Sequence, residues 1–365
     1  RTILEFTSFV DWALVFANVQ NPAMLLHQRV YRGAFLFGKA VMVVDHAVAL
    51  RDIPKPTLRG NRFMGVDLVS NDPGAFVTNA GPITTGQPVR RLVREYIERE
   101  VMSPRVREYD VDTVRRDCAE IFADWRAAEH MANMWTVRGA VTRVFLRLLA
   151  ERTVPQEVAD DVTRAYVRRF AEFSLFGRYA PALLGVLGTR DGVRRDAFIP
   201  LRRLGIDDIV IDMTLFAAMF SVGTILMRSL EIARDENIDY RKLSRAERRG
   251  FVIEAQRLHP TVTTVHRIVE APETIVVFDT TLELQPGDEV AYPFACLNRD
   301  PKCFESPERF NLSRPEAEFE RVLSWSVGPH ACPAKELSIA VTIAMLDELA
   351  EVSDLRELRP LNLEF

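Results

Sequence analysis

The sequence SWSVGPHACPAKELSIA, residues 324–340, places Cys332 between a Gly-Pro loop and a proline that begins a long amphipathic helix. Proline is favoured at the first helical position because its missing N–H group has no partner to lose there. Cys332 is therefore predicted to be the N-cap of this helix, facing backbone N–H groups that favour a thiolate. Such a cysteine is a nucleophile, a metal ligand or a buried thiol, and this feature alone leaves all three open.

The composition is that of an ordinary soluble globular protein. The chain has 365 residues, of which 48% are hydrophobic and 27% are charged. Its 47 basic and 51 acidic side chains are mixed along the sequence, and the net charge is -4. This charge pattern argues against a dedicated nucleic-acid-binding surface.

The apolar run from Met213 to Met227 predicts a buried core helix rather than a membrane span. It has 15 residues, fewer than the roughly 18 to 20 that are needed to cross a bilayer. The first residues, RTILEFTSFVDW, lack the basic region and the cleavage site of a signal peptide. We therefore expect a cytoplasmic protein with no membrane partner.

Four cysteines in a chain of this length do not form a disulfide framework, so each needs its own explanation. The candidate ligands for a zinc site are Cys296, Cys303, His330 and Cys332. Six residues separate the first two, whereas structural zinc sites prefer about two to four. A nucleophilic pair of Cys332 and His330 fits less well still, because no nearby residue clearly orients the imidazole.

Helical periodicity dominates the sequence. Apolar residues recur at three- and four-residue spacing in residues 87–101, 111–127, 155–176, 207–234, 244–259 and 333–352. Strand-like runs are short and lie at residues 34–45, 264–269, 274–278, 281–284 and 288–295, with a QPGD turn at 285–288. The pattern predicts a mainly α fold with a small β-sheet region.

Two further motifs concentrate charge in particular positions. A helix with the capping box SRAE at residues 244–247 ends in EAQRLHP, which puts Glu254 and Arg257 on one face. If the pair is buried it can clamp a third group, and Arg309 of SPERFNLSRP is the candidate. The run PVRRLVREYI, residues 88–97, crowds arginines at a helix start, where the dipole disfavours cations. This indicates an anionic partner, with a solvated basic face as the alternative.

In this order the motifs resemble the cytochrome P-450 superfamily of haem-thiolate enzymes. The family's cysteine loop matches Trp325, Gly328, His330 and Cys332. Its Glu-x-x-Arg helix matches Glu254 and Arg257, and NRDPKCFESPERF resembles its meander segment. The resemblance is strongest from about residue 207 to 352. It implies one triangular, helix-rich catalytic domain over residues 1–365, with β-rich parts near 30–50 and 262–295.

The resemblance also implies a cofactor, thiolate-ligated haem b. Cys332 would be the axial iron ligand within the loop that contains Trp325. The haem propionates would bind Arg90 or Arg91, Arg267 and His330. A thiolate ligand pushes electron density into the iron and favours O–O cleavage. Glu254, Arg257 and Arg309 would hold the irregular loop beneath the porphyrin.

The sequence departs from the family in the helix expected above the iron. Relatives carry Asp or Glu followed by Thr, which together relay protons for O2 cleavage. Counting back from Glu254 with the family spacing places Ala217, Ala218, Met219 and Phe220 at this site. Either Thr214, Ser221 or Thr224 stands in, or the relay is absent. The candidate catalytic residues are therefore Met219, Phe220 and Thr224.

The expected function is oxidation of a compact, largely apolar small molecule in bacterial specialised metabolism, by hydroxylation or by oxidative coupling or cyclisation. A ferredoxin and its reductase would supply electrons for O2, docking near Arg90, Arg94 and Lys335. Because the Asp or Glu of the proton relay is missing from the expected position, two alternative functions remain. One is a peroxide-dependent peroxygenase, and the other is a haem-thiolate isomerase or dehydratase that needs no redox partner.

Overall fold

The structure, a computed structural model, describes the chain in several stretches. These are residues 31–35, 38–55, 57–59, 62–63, 66–67, 115, 119, 134–176, 192, 194–262, 264–277, 280–328, 331–352 and 354–357. They divide into two compact units. The first unit holds the described residues up to 67 and those from 256 to 332, and the second holds residues 115–255 and those from 333 onward. The single domain predicted over residues 1–365 stays a prediction.

The first unit contains the β-structure. Its strands are β1 (Tyr31–Phe35), β2 (Gly38–Met42), β3 (Leu58–Arg59), β4 (Arg62–Phe63), β5 (Val66–Asp67), β6 (Thr264–Val269), β7 (Glu273–Val277), β8 (Thr280–Leu284) and β9 (Glu289–Pro293). A five-stranded sheet has the order β1-β2-β9-β6-β3, in which only the β2–β9 pairing is parallel. The hairpins β4-β5 and β7-β8 form separate two-stranded sheets.

Helices are the commonest regular element among the described residues. They are α1 (His46–Asp52), α2 (Met134–Ala150), α3 (Gln156–Phe176), α4 (Ile199–Arg203), α5 (Asp208–Asp212), α6 (Phe220–Asp235), α7 (Arg245–Leu258), α8 (Phe294–Leu297), α9 (Glu316–Phe319) and α10 (Lys335–Val352). Two π-helical stretches, Arg194–Phe198 and Met213–Met219, adjoin α4 and α6. Short 3-10 turns lie at Tyr240–Lys242 and Leu323–Trp325. This is the mainly α architecture that the periodicity predicts.

The core of the first unit lies against its five-stranded sheet. Val41, Val290 and Tyr292 are fully buried in the central strands, and Ile53 and Leu323 pack into the same cluster. Burying a side chain of this size stabilises a fold by about 1.5–3 kcal/mol. The irregular segment that follows α8 is therefore anchored on a rigid base.

The second unit is organised around one long helix, residues 208–235, formed by α5, a π-helical stretch and α6. Its segment Val210–Asp235 is long and apolar enough to cross a membrane, but 72% of the most apolar window is buried inside the protein. Helix α2 packs against α3 and against this long helix, and α10 packs against α6. The long helix is thus the core helix that its sequence predicts.

Local signals fix two of the element boundaries. The Ser244 N–H donates to Glu247 Oε2 at 2.7 Å, and the Glu247 N–H donates to Ser244 Oγ at 3.3 Å. These reciprocal bonds are the predicted capping box at the start of α7. At the QPGD turn, the Asp288 N–H donates to the Gln285 carbonyl at 3.0 Å, and Gly287 adopts φ +92°. Glycine suits this position because a side chain is strained at positive φ.

Candidate functional site

Cys332 lies at the end of a closed loop. Its N–H donates to the Trp325 carbonyl at 2.7 Å, so the stretch from Trp325 to Cys332 is held together at its two ends. Within the loop the Ala331 N–H donates to the Gly328 carbonyl at 3.0 Å. Cys332 is exposed, whereas Cys303 is half-buried and Cys296 is buried. Of the cysteines that the structure describes, Cys332 is therefore the most exposed.

The helix that follows Cys332 begins later than the sequence predicts. Helix α10 starts at Lys335, and Pro333 and Ala334 form a turn before it. Its first helical bond runs from the Ser338 N–H to the Ala334 carbonyl at 2.8 Å. The prediction that Cys332 is the N-cap is wrong by two residues, because the bond to Trp325 holds the Cys332 backbone in the loop.

Gly328 permits the loop to pass close to the first part of the chain. It adopts φ +66°, and a Cβ atom added there would lie 2.8 Å from Cβ of Pro54. Any side chain at this position would be strained by the backbone conformation and would also collide with Pro54. The glycine is thus required by both conformation and packing.

A chain of hydrogen bonds connects α7 to the cysteine loop. Arg257 is fully buried, and its Nη1 donates to the Asn298 carbonyl at 2.8 Å. The Asn298 side chain accepts from the Leu323 N–H at 2.8 Å and donates to Ser324 Oγ at 2.8 Å. Ser324 Oγ in turn donates to the Gln256 carbonyl at 2.7 Å. The residues that immediately precede the loop are therefore fixed by buried polar contacts.

Two arginines hold the irregular segment between α8 and α9. Arg257 donates to the Pro307 carbonyl at 2.6 Å and to the Arg309 carbonyl at 3.0 Å, and its guanidinium lies 5.3 Å from the centre of the Phe304 ring. Arg314, which is 5% exposed, donates to the carbonyls of Glu305, Ser306 and Arg309.

This arrangement corrects one part of the sequence interpretation. The guanidinium of Arg309 was the predicted third member of the network, but Arg309 is exposed and contributes its backbone carbonyl. Arg314 occupies the buried position instead. It lies five residues further on and outside the Pro-Glu-Arg-Phe motif, so no local signal distinguishes it in the sequence.

The other described cysteines have the environment of structural thiols. Burial raises the pKa of Cys296 to about 12, and burial also raises the pKa of Cys303. Both thiols are therefore neutral at physiological pH, which makes them poor ligands and poor nucleophiles. Among the described residues, no group of three His, Cys, Asp or Glu side chains is placed to hold a metal ion.

The predicted haem-binding residues fall partly within the described chain. Arg267 is 2% exposed on β6 and Trp325 is 7% exposed in the 3-10 turn, both in the first unit with Cys332. Arg90, Arg91 and His330 lie outside the described residues. The donors that are described fit a haem, because Cys332 offers an exposed soft ligand for iron and Arg267 a buried cation for a propionate.

In the second unit, the long helix has one face that is only half-buried. Its residues recur at three- and four-residue spacing and are Met213, Ala217, Phe220, Ser221, Thr224, Arg228 and Glu231. The stretch Met213–Met219 is π-helical, a distortion that occurs frequently at functional sites. This distortion coincides with the segment where the family's acid and alcohol were expected.

The three predicted catalytic residues occupy different environments. Thr224 lies on the half-buried face, whereas Met219 is fully buried away from it. Phe220 is half-buried and contacts two neighbouring helices: its ring centre is 6.2 Å from that of Tyr166 in α3 and 5.1 Å from the guanidinium carbon of Arg138 in α2. Sequence reasoning did not identify Arg138, because its helix carries no motif.

Known proteins share both the sequence of the cysteine region and the fold. Residues 249–344 match the family described as Cytochrome P450. A substrate-free cytochrome P450 of Mycobacterium marinum has a TM-score of 0.64 at 16% identity, with 92% of this chain and 89% of that chain covered. P450BioI, solved with an acyl carrier protein ligated to hexadec-9Z-enoic acid, has a TM-score of 0.67 at 16% identity, covering 89% and 88%. At these identities the likeness establishes the fold.

Two further similarities concern proteins with named activities. The LnmZ cytochrome P450 hydroxylase of Streptomyces atroolivaceus, from the leinamycin biosynthetic pathway, has a TM-score of 0.64 at 16% identity and covers 89% of this chain and 93% of its own. Linoleate 10R-lipoxygenase of Aspergillus fumigatus is 32% identical over 108 residues. That match covers 29% of this chain and only 9% of the fungal protein, so the chain spans a small part of this relative.

Proposed function

We propose that this chain, which belongs to the cytochrome P450 superfamily, is a haem-thiolate oxidase of a compact, largely apolar small molecule. The cofactor of the family is haem b bound through a cysteine thiolate. One observation carries the assignment to this chain: Cys332 is the exposed cysteine among those described, and it ends a loop closed by its own N–H bond to Trp325. The bound haem supplies the oxidising chemistry, for which the thiolate donates electron density.

The role of the first unit is to position the sulfur. The bond from Cys332 to Trp325 fixes the backbone of the ligand, and Asn298 fixes the residues just before Trp325. Arg257 then ties Asn298 to α7. A ligand that is held by its supporting contacts keeps its orientation when the metal changes charge or coordination. Arg267 is the described residue proposed to neutralise a propionate.

The proposed chemistry is hydroxylation, or oxidative coupling or cyclisation, in bacterial specialised metabolism. The similarity of fold to a hydroxylase from the leinamycin biosynthetic pathway supports this proposal. Electrons would come from a ferredoxin and its reductase, and a cytoplasmic location is part of the same proposal. The apolar half of the face that carries Met213, Ala217 and Phe220 supports an apolar substrate.

A second candidate function is favoured by the long helix. Its segment Met213–Met219 and the next residue, Phe220, contain no carboxylate, so an acid and alcohol side by side are absent from this stretch. The hydroxyls of Ser221 and Thr224 remain on the half-buried face, whereas Thr214 is fully buried. Such a helix suits an enzyme that takes its oxygen from a peroxide.

The decisive experiment compares the source of oxidising equivalents. Apolar small molecules are screened for a change in the haem absorption spectrum, and the tightest binder is then incubated with ferredoxin, reductase and O2, or with hydrogen peroxide alone. The proposal expects faster product formation with O2 and the redox partner. It also expects Thr224→Val to slow this reaction several-fold while the peroxide reaction changes little. Turnover that is no faster with O2 than with peroxide would replace the oxidase proposal by the peroxygenase alternative.

A further inference from the structure

Arg138 is a buried cation whose hydrogen-bonding capacity is largely unused. It lies on α2, it is 6% exposed, and its Nε and Nη1 atoms are buried with no hydrogen-bond partner among the described residues. Burial lowers the pKa of its guanidinium to about 10. The guanidinium therefore remains charged at physiological pH while it is removed from water.

Two of the described contacts of the Arg138 side chain are with Gly223 and Phe220. Its Cγ lies 3.2 Å from the position that a Cβ atom of Gly223 would occupy, and its guanidinium carbon lies 5.1 Å from the centre of the Phe220 ring. A cation over an aromatic face gains about 0.5–2 kcal/mol. That gain is smaller than the several kcal/mol that desolvating a charge costs. The buried charge of Arg138 thus lowers the stability of the folded protein. Such a loss of stability is typical of residues that serve function.

A second buried arginine on the same helix has hydrogen-bond acceptors for its guanidinium within the protein. Arg143 is 5% exposed, but its Nε donates to the Val154 carbonyl at 3.0 Å and its Nη1 donates to Gln156 Oε1 at 2.9 Å. The two arginines match in helix and in burial, but among the described residues Nε and Nη1 of Arg143 have oxygen acceptors and those of Arg138 have none. Arg143 therefore shows how a buried guanidinium on this helix is satisfied within the protein, and Arg138 differs from it in Nε and Nη1.

We propose that Arg138 binds the carboxylate of an otherwise apolar substrate, so that this substrate class is the one the enzyme takes. The inference rests on the proposed function in assuming a small-molecule substrate. A carboxylate offers two oxygens to the guanidinium fork, which compensates for the lost hydration of both groups. Phe220 and the adjacent half-buried face, with Met213 and Ala217, provide apolar contact for the rest of the molecule.

The test measures equilibrium binding rather than turnover. Isothermal titration calorimetry on the haem-loaded protein compares decanoate with methyl decanoate, which has the same chain and no charge. The wild type is expected to bind decanoate at least tenfold more tightly. In Arg138→Met this preference is lost, because decanoate affinity falls at least tenfold while methyl decanoate changes by less than about twofold. Arg143→Met, the matched control, keeps the preference of the wild type.

Thermal unfolding without ligand gives an independent readout. Replacing an unpaired buried charge by an apolar side chain of similar length leaves the melting temperature unchanged or raises it, so Arg138→Met is expected to do so. Arg143→Met removes paired contacts and is expected to lower it by several degrees. Decanoate is expected to raise the melting temperature of the wild type and not that of Arg138→Met.

Three results would overturn the inference. These are a wild type with no preference for decanoate, an Arg138→Met variant that retains the preference, or an Arg138→Met variant that melts well below the wild type. Binding needs neither electrons nor O2, so a failed oxidase assay leaves this test intact. Conversely, an active oxidase that is indifferent to the carboxylate would reject this inference and keep the proposed function.

Discussion

Three buried polar side chains of the cysteine-loop scaffold in the first unit and two of the long-helix region in the second unit differ in whether their polar atoms have partners. In the scaffold, Arg257, Asn298 and Arg314 are all buried, and each bonds to one or more backbone carbonyls or N–H groups. In the long-helix region, Arg138 and Thr214 are buried with polar atoms that lack a partner among the described residues. Buried side chains whose hydrogen bonds are all made hold the cysteine loop rigidly. Buried donors without a partner can still bind a molecule that arrives later.

The first prediction has the largest expected effect and removes the centre of the scaffold. Arg257→Met leaves the carbonyls of Asn298 and Pro307 without this donor and removes one of the two donors to the Arg309 carbonyl. Buried groups deprived of a hydrogen bond cost about 1–3 kcal/mol each. We expect the free energy of unfolding to fall by about 3–5 kcal/mol, measured by chemical denaturation, together with faster loss of haem.

Arg309→Met is the matched control for this experiment. Its guanidinium is exposed and only its backbone carbonyl joins the network, so the substitution is expected to change stability by less than about 0.5 kcal/mol. If Arg309→Met were as damaging as Arg257→Met, the scaffold would depend on the Arg309 side chain after all.

The second prediction separates backbone strain from packing, by means of one glycine in each unit. Gly328 and Gly205 adopt φ +66° and +76°, but only Gly328 has atoms within 4 Å of an added Cβ. Alanine costs about 1 kcal/mol at such a φ, and overpacking adds about 1–3 kcal/mol more. Gly328→Ala is therefore expected to destabilise by about 3 kcal/mol and Gly205→Ala by about 1 kcal/mol, measured by thermal unfolding. Equal effects would mean that Pro54 moves aside readily.

The third prediction concerns pH and uses His46, which lies at the base of the scaffold. Its Nε2 donates to the Arg321 carbonyl at 2.9 Å, and burial lowers its pKa below the usual 6.5. Near it are Asp300, which accepts the His46 N–H and raises the pKa, Asp45, which also raises it, and Arg321, which lowers it.

Because His46 is neutral in the folded state, the unfolded chain binds more protons below pH 6.5. His46 therefore makes its full contribution to the free energy of unfolding above about pH 6.5. This contribution decreases as the pH falls through the pKa of His46 in the folded protein. We expect His46→Gln to flatten this part of the curve of unfolding free energy against pH. A slope that is unchanged in the variant would assign the acid sensitivity to another group.

The fourth prediction has the smallest effect and concerns a buried hydroxyl of the long-helix region that has no hydrogen-bond partner among the described residues. Thr214 is fully buried and its Oγ1 has no partner among the described residues, whereas Thr142 Oγ1 bonds to the Arg138 carbonyl and to Thr163 Oγ1, both at 2.9 Å. Valine has nearly the same shape without the hydroxyl. Thr214→Val is expected to stabilise by about 0.5–1 kcal/mol and Thr142→Val to destabilise by about 1 kcal/mol. A destabilised Thr214→Val would show that this hydroxyl has a partner in the protein.

The sequence predicted the elements whose local signals agree with their tertiary setting. TVHRIV forms β6 residue for residue, and the capping box places the start of α7 at Arg245. The cytochrome P450 fold that the motifs implied is confirmed by the family match and by the structural similarities.

Elements whose character depends on their surroundings were missed. Helix α2 buries Arg138 and Arg143, and arginines count as polar when periodicity is judged, so its inward face does not stand out. The π-helical stretch Met213–Met219 is apolar on nearly every side, which hides its altered period. Asn298 and Arg314 act through carbonyls distant in sequence, and no local pattern encodes those contacts. Features that depend on packing between residues distant in the sequence could therefore not be predicted from the sequence alone.

The most direct test of the account is the absorption spectrum of the reduced, carbon monoxide-bound protein. The wild type is expected to show the red-shifted Soret band that is diagnostic of thiolate ligation. Cys332→Ala is expected to lose that band, and Cys303→Ala, in which a half-buried cysteine is removed, to retain it. A wild type without the red shift, or a Cys332→Ala variant that keeps it, would contradict the assignment of Cys332 as the haem ligand.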